Sequence, residues 1–351
     1  MVMTQSCGLT RVSQQLAQVL GQKENTLRQR LREWNWEKEA KAGQRRQDLQ
    51  VSLCFPFLLK WILSWWGEGE HRLALALDAS SLKMTFVVLS LSVVYRGVAI
   101  PVAWKVTQAA HKGAWKGEWL ALLSSVAQVV PADWQVIVLT DRGLYARWLF
   151  QAIQRLGWHP LMRINLGGKF CSQASSQFLP LSQFVSKTGQ PWAGKGICFK
   201  NDPIQATVLT CWEPRYQDPW LMVSDLQPEQ AQTAWYGMRS WIENGFRSTK
   251  RGGWQWQNTR MSDPARATRF WLALAVATLW VVSVGGEADA SLPASSLQEL
   301  PPAHIAHRLS KGRPRTRHLT CFRQGIIVIL ASLFDHTPLP LGSFHPQPWP
   351  T

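Results

Sequence analysis

WQVIVLTD, residues 134–141, places four branched aliphatic residues, Val136–Leu139, and then Thr140 before an acid, Asp141. A short apolar run without alternation fits a strand buried on both faces, in the middle of a sheet with a parallel neighbour. Upstream, LALALDAS (73–80) is a second strand-like run, also ending in an acid, Asp78. TFVVLSLSVV (85–94) and VAIPVAWKV (98–106) follow, joined through Arg96 and Gly97, which completes a three-strand meander. Helical patterns cover 115–128 and 144–156, and another strand is expected near 160–165. In an open sheet of this order the first and fourth strands are neighbours. Asp78 and Asp141 then meet at the crevice beyond the strand ends, where such sheets place their sites.

Residues 166 to about 220 are rich in Gly, Ser, Gln and Pro, with strand-like pieces at 178–185, 195–200 and 206–213. They read as a β-rich insertion. PWLMVSDL (219–226) is one more strand, and a long helix is expected to start near Pro228. That helix carries WYGMRSWIENGFRSTKRGG (235–253), in which a single acid, Glu243, stands among Arg239, Arg247, Lys250 and Arg251. Tyr236, Arg239, Glu243 and Lys250 lie at offsets 0, 3, 7 and 14. On a continuous helix all four fall in a stripe about 60° wide, with Trp241 turned toward the core. The plain alternative is a solvated face whose Arg239–Glu243 pair contributes a few tenths of a kcal/mol. Gly245 is where the helix is expected to loosen.

Outside this centre, residues 13–34 resemble a helix-turn-helix, with Ala17 at the crossing, Gly21 at the turn and Leu27 inside. Its second helix would offer Asn25, Thr26, Arg28, Gln29 and Arg32 to DNA, although Arg30 sits where an apolar residue is usual. Residues 51–70 form an apolar helical connector. The run 270–284 is too short to span a membrane comfortably and reads as a buried helix. A linker (285–303), a basic patch KGRPRTRH (311–318), an apolar helix (321–334) and a Pro-rich tail follow. The expected division is a helical DNA-binding region 1–68, a catalytic domain 69–285 and a C-terminal region 286–351.

Thirty-eight Lys and Arg against 22 acids give a net charge of +16, which points to a polyanionic partner, nucleic acid before membrane. The six cysteines contain no C-x-x-C pair, and no signal peptide opens the chain. Both favour a reducing cytoplasm. Three carboxylates, Asp78, Asp141 and Glu243, are the hard oxygen donors that Mg²⁺ takes when it also binds phosphate. A pair of such ions serves in-line displacement at phosphorus.

The spacing Y-(2)-R-(3)-E-(6)-K, here Tyr236, Arg239, Glu243 and Lys250, resembles the signature of DDE transposases of the insertion-sequence-four family. Asp141 in LTDRGLY and Asp78 in LALDASSL look like that family's second and first acids. The resemblance covers about residues 70–285. It implies an α/β architecture: an RNase H-like mixed sheet flanked by helices, with a β-rich insertion before the helix bearing the glutamate. It also implies that Asp78, Asp141 and Glu243 bind two divalent ions, Mg²⁺ or Mn²⁺ in its place. Tyr236, Arg239 and Lys250, with Arg247 on the same segment, would hold transposon-end DNA. Trp235, Trp241 and Trp254 are candidates to stack on a flipped base. The implied function is cut-and-paste transposition of an insertion sequence through its terminal inverted repeats, with a dimer in the synaptic complex and no membrane partner. A prokaryotic, nucleoid-associated location goes with it. The alternative is an inactive or non-transposing DNA-binding protein or nuclease on the same fold.

Overall fold

The computed structural model describes residues 1–44, 46–111, 113, 115–214, 217–290 and 319–350. The basic patch 311–318 and most of the expected linker lie outside the described residues.

Two helices open the chain, α1 (Leu9–Leu20) and α2 (Glu24–Glu33). Gly21 ends α1 with φ 61, a left-handed conformation that glycine adopts without steric cost. Leu27 is buried, as the helix-turn-helix reading expects, whereas the apolar Val19 and Leu20 face solvent. Helix α3 (Phe55–Ser64) buries Leu58, Leu59 and Ile62, and packs on the main domain rather than acting as a free connector.

Among the described residues, ten strands form one sheet. They are β1 (Arg72–Leu82), β2 (Phe86–Tyr95), β3 (Val98–Gln108), β4 (Gln135–Thr140), β5 (His159–Arg163), β6 (Lys169–Ser172), β7 (Leu179–Pro180), β8 (Trp192–Cys198), β9 (Ile204–Cys211) and β10 (Trp220–Ser224). The order is β3-β2-β1-β4-β5-β10-β9-β8-β6-β7. β1, β4 and β5 run parallel, and the remaining neighbours pair antiparallel. Val136–Leu139 of β4 are all fully buried, as the unbroken apolar run requires. The β2–β3 hairpin turns through Arg96 and Gly97, at φ 42 and 81, the positive pair of a tight two-residue turn. Helices α4 (Lys116–Ala127) and α5 (Arg147–Arg155) flank this sheet.

The stretch 166–220 differs in detail from its reading. Its strands extend the main sheet, because β9 pairs with β10. The piece expected at 178–185 is a two-residue bridge followed by a 3₁₀ turn, Leu181–Phe184. Pro180 has no N–H to continue a ladder there. β6 is only four residues long and carries no strong pattern.

The long helix expected from Pro228 is broken. Ala231 and Gln232 are extended, with ψ of 140 and 135. A 3₁₀ helix, Thr233–Ser240, follows, then α6 (Trp241–Thr249). Seven of the eight residues 233–240 are buried, so packing on all sides shapes the segment, not one amphipathic face. Gly245 does not loosen α6. A Cβ there would lie 2.8 Å from the Ala99 carbonyl oxygen, so the glycine lets α6 lie closely over β3.

Helix α7 (Pro264–Asp289) is longer than the expected 270–284 and passes through Gly285 and Gly286. Its length and apolar content would suffice to cross a membrane, yet 56% of its most apolar window is buried, against β3 and α8 (Cys321–Phe334). It is a core helix. A Cβ on Gly285 would stand 1.9 Å from the Cys321 carbonyl oxygen, and one on Gly325 1.8 Å from that of Val281. The two glycines thus set the spacing of the α7–α8 pair. At its end, Asp289 accepts from Arg96 of the hairpin at 3.1 Å, both side chains buried. The Pro-rich tail also packs back: Phe344 is fully buried and bridges to Trp66. None of the six cysteines forms a disulfide.

Candidate active site

β1 and β4 are paired in parallel from Arg72↔Gln135 to Leu77↔Thr140. The next residue on each chain is Asp78 and Asp141, so the register sets the two acids side by side. Asp78 is not the end of its strand, however. β1 runs on to Leu82 against β2, with Asp78 opposite Ser90. Only the pairing with β4 stops there, which opens the crevice.

Each aspartate is half-committed to backbone. Asp78 Oδ1 accepts from the Ala79 amide at 2.9 Å. Asp141 Oδ1 accepts from the Gly143 and Leu144 amides at 2.9 and 3.2 Å. It thereby caps a turn instead of the following helix, which starts only at Arg147. These bonds leave both Oδ2 atoms aimed at a common point. Glu243 reaches the same point from the first turn of α6.

Arg239 stands at that point. Its Nη2 is 2.9 Å from Asp78 Oδ2 and 3.4 Å from Asp141 Oδ2, and its Nη1 is 2.8 Å from Glu243 Oε1. The Arg239 side chain is 7% exposed, against 15% for Asp78, 28% for Glu243 and 37% for Asp141. The plain alternative, a solvated Arg239–Glu243 bridge, does not hold: Arg239 is buried and is the hub of a three-acid cluster. Among the described residues no three acids stand close enough to enclose a metal ion by themselves.

Electrostatics follow from this crowding. Burial pushes the Asp78 carboxyl up to about 6; Asp141 and Glu243 add to the rise, and Arg239 opposes it. Burial would lower the Arg239 pKa, but Asp78, Tyr236, Asp141 and Glu243 together hold it above its ordinary value. Burial lowers Lys250, with Asp78 opposing.

The remaining expected residues divide. Lys250 is past the end of α6, with φ −97 and ψ −135, so it shares no helical stripe with Glu243. It reaches the site differently: its Nζ donates to Ser80 Oγ and the Ser81 carbonyl, both at 2.7 Å, on the extension of β1 beyond Asp78. Tyr236 is buried, edge-on to Trp220 and 6.0 Å from the Arg163 guanidinium. Burial pushes its phenol up to about 12, with Arg239 and Arg163 opposing. It backs Arg239 from inside; in a 3₁₀ helix, residues three apart eclipse one another. Arg247 is exposed on the last turn of α6. Arg28 and Arg32 lie away from the acids, half-buried in a cleft against residues 255–270.

Trp235, Trp241 and Trp254 are all core residues. Trp254 donates to Thr278 Oγ1 at 2.8 Å and packs on Phe322, and Trp235 packs on Trp349. As placed, none offers a face to an incoming base. Ser80 and Ser81, which hold Lys250, and Arg163, behind Tyr236, went unread because their roles depend on contacts across strands. The two serines directly after Asp78 were the one available signal.

Residues 74–280 match the family described as a transposase DDE domain, a span that holds more than half of the chain and all of Asp78, Asp141, Arg239, Glu243 and Lys250. No curated protein matches the chain.

Proposed function

The chain belongs to the transposase DDE domain family, and from that premise we propose that it is the transposase of an insertion sequence of the insertion-sequence-four type. It binds the element's terminal inverted repeats, cleaves the strands there and joins the released ends to target DNA. The observation that carries this reading is the convergence of Asp78 Oδ2, Asp141 Oδ2 and Glu243 Oε1 on one guanidinium.

The donor chemistry fits a pair of Mg²⁺ ions, or Mn²⁺ in their place. All three donors are carboxylate oxygens. Asp78, Asp141 and Glu243 each turn a carboxylate oxygen to the one Arg239 guanidinium. Burial is the first cause of the raised Asp78 pKa, and the neighbouring carboxylates of Asp141 and Glu243 add to it. When bound, such ions supply an activated water and stabilise the leaving oxygen of an in-line displacement. The chain's own residues do the rest. Backbone amides orient the two aspartates, so the acids need little reorganisation. Arg239 holds their charges apart in advance, and its planar fork also suits a bidentate phosphate contact. Lys250, tied to Ser80 and Ser81, is a point charge beside Asp78. Joining two ends calls for two protomers on DNA, and DNA as substrate accords with a cytoplasmic, nucleoid-associated protein. Tyr236 supports Arg239 and does not itself grip DNA.

The test is nicking of a duplex that carries the element's own ends. Mg²⁺-dependent cutting is expected, with loss in Asp78→Ala, Asp141→Ala and Glu243→Ala. A protein that binds those ends yet leaves them uncut with both Mg²⁺ and Mn²⁺ refutes the function. Undiminished cutting by the three variants refutes the site.

A further inference from the structure

A cleft of about 640 Å³ separates the N-terminal helix pair from residues 255–270. Five arginines line it: Arg11, Arg28 and Arg32 from α1 and α2, and Arg260 and Arg266 from the opposite wall. Asp263 is the one acid among the lining residues, and its Oδ1 is taken by the Arg266 amide at 2.6 Å, where it caps α7. Among the described residues none of the five guanidinium groups forms an ion pair. Arg28 Nε and Arg266 Nε are occluded from water and lack a hydrogen-bond partner, as does the side-chain oxygen of the buried Asn35 beside them. Like charges gathered and partly desolvated in this way repel one another, and an anion relieves the cost.

The walls are fastened together. The Cys7 amide donates to the Trp254 carbonyl at 2.7 Å, and Arg269 donates to the Asn35 carbonyl at 2.9 Å and to Glu37 at 3.2 Å. The Arg266 guanidinium lies 5.5 Å from the Trp36 ring. So α2 is not a free recognition helix with Arg28 and Arg32 on an open face. The cleft also adjoins the acid cluster along the chain: Gln255, on its wall, donates its amide to the Lys250 carbonyl at 2.9 Å.

We propose that this two-walled arginine cleft binds the phosphodiester backbone of duplex DNA next to the segment being cut, so that the helix pair and the main domain hold the DNA jointly and without reading sequence. This rests on the transposase reading for its choice of anion. An arginine fork suits phosphate oxygens, and each neutralised phosphate adds about 0.9 to the slope of log affinity against log salt.

The experiment measures binding of the full chain to a labelled duplex of arbitrary sequence, in chelator, over a range of salt. Arg28→Gln and Arg266→Gln are each expected to lower the slope by about 0.9, although they lie on opposite walls. Arg28→Lys and Arg266→Lys should keep it. Arg30→Gln, on the exposed side of α2, should leave it unchanged. An unchanged slope in Arg28→Gln and Arg266→Gln overturns the proposal. So does a loss in Arg30→Gln equal to that in Arg28→Gln with none in Arg266→Gln, which would mark an open recognition helix. Lysine variants that fall as far as the glutamine variants overturn it too, since the arginines would then act through structure. Displacement of the duplex by inorganic phosphate, at the ionic strength of a chloride control, would assign the cleft to the free anion instead. Asp141→Asn separates the two readings, because it should abolish cutting while retaining the slope. If the wild type shows the arginine-dependent slope but never cuts its own ends, the transposase reading falls and the cleft assignment stands.

Discussion

Replacing Asp78 by Asn should make the protein more stable while ending its activity. The carboxyl titrates at about 6 in the fold against 3.8 in the unfolded chain, because burial and then Asp141 and Glu243 disfavour its charge. A raised carboxyl pKa means that the folded state binds the proton more tightly. Its stabilising contribution is complete below pH 3.8 and is lost as pH rises through about 6. At about 1.4 kcal/mol per pH unit, ionised Asp78 costs the folded state about 3 kcal/mol at pH 8. Asparagine keeps the shape and removes the charge. The assay is urea denaturation followed by tryptophan fluorescence, in chelator, at several pH values. Asp78→Asn should exceed the wild type by about 3 kcal/mol near pH 8, with the difference shrinking to nearly nothing near pH 4. A variant less stable than the wild type at pH 8 would refute the reasoning. It would mean that the Asp78–Arg239 bond outweighs the desolvation and repulsion.

The opposite partner gives the opposite sign. Arg239→Leu leaves three carboxylates facing one another and should cost about 3 kcal/mol at neutral pH, less on acidification, by the same denaturation assay. Arg96→Ala removes the buried hydrogen-bonded pair with Asp289 and should cost about 1.5–3 kcal/mol, read as a lowered urea midpoint. Gly325→Ala forces α7 and α8 apart, since its Cβ would meet the Val281 carbonyl oxygen at 1.8 Å, and should cost at least about 1–3 kcal/mol in thermal unfolding. Mg²⁺ should raise the melting temperature of the wild type and have little effect on Asp78→Asn, as scanning calorimetry would show.

Much of the centre was legible along the chain because it depends on local rules. Val136–Leu139 had to be a strand buried on both faces, and LALALD had to pair beside it; the order of elements then put both aspartates at one crevice. The 321–334 helix was read to the residue. Where the reading failed, a buried or distant partner decided. A continuous helical stripe from Tyr236 to Lys250 assumed that one amphipathic face governs the segment. The segment is instead buried on nearly every side, breaks at Ala231 and Gln232, and ends before Lys250. Gly245 looked like a weak point, and Gly285 was read as the start of a linker, because glycine disfavours helices. They serve close packing against Ala99 and Cys321, contacts with no trace near them in the chain.

The acids themselves, their strand positions and the Y-R-E-K spacing were determined by the sequence alone, because strand burial and residue identity are properties of short stretches. Tertiary structure decided what those residues face. Register between β1 and β4 set the distance between the aspartates, and docking of α6 over β3 brought in Glu243. The same docking put Arg239, an apparent DNA contact, at the centre of the three acids. It also took Arg28 and Arg32 off an open helix and into a cleft, because charge on a helix face says nothing about which wall folds against it.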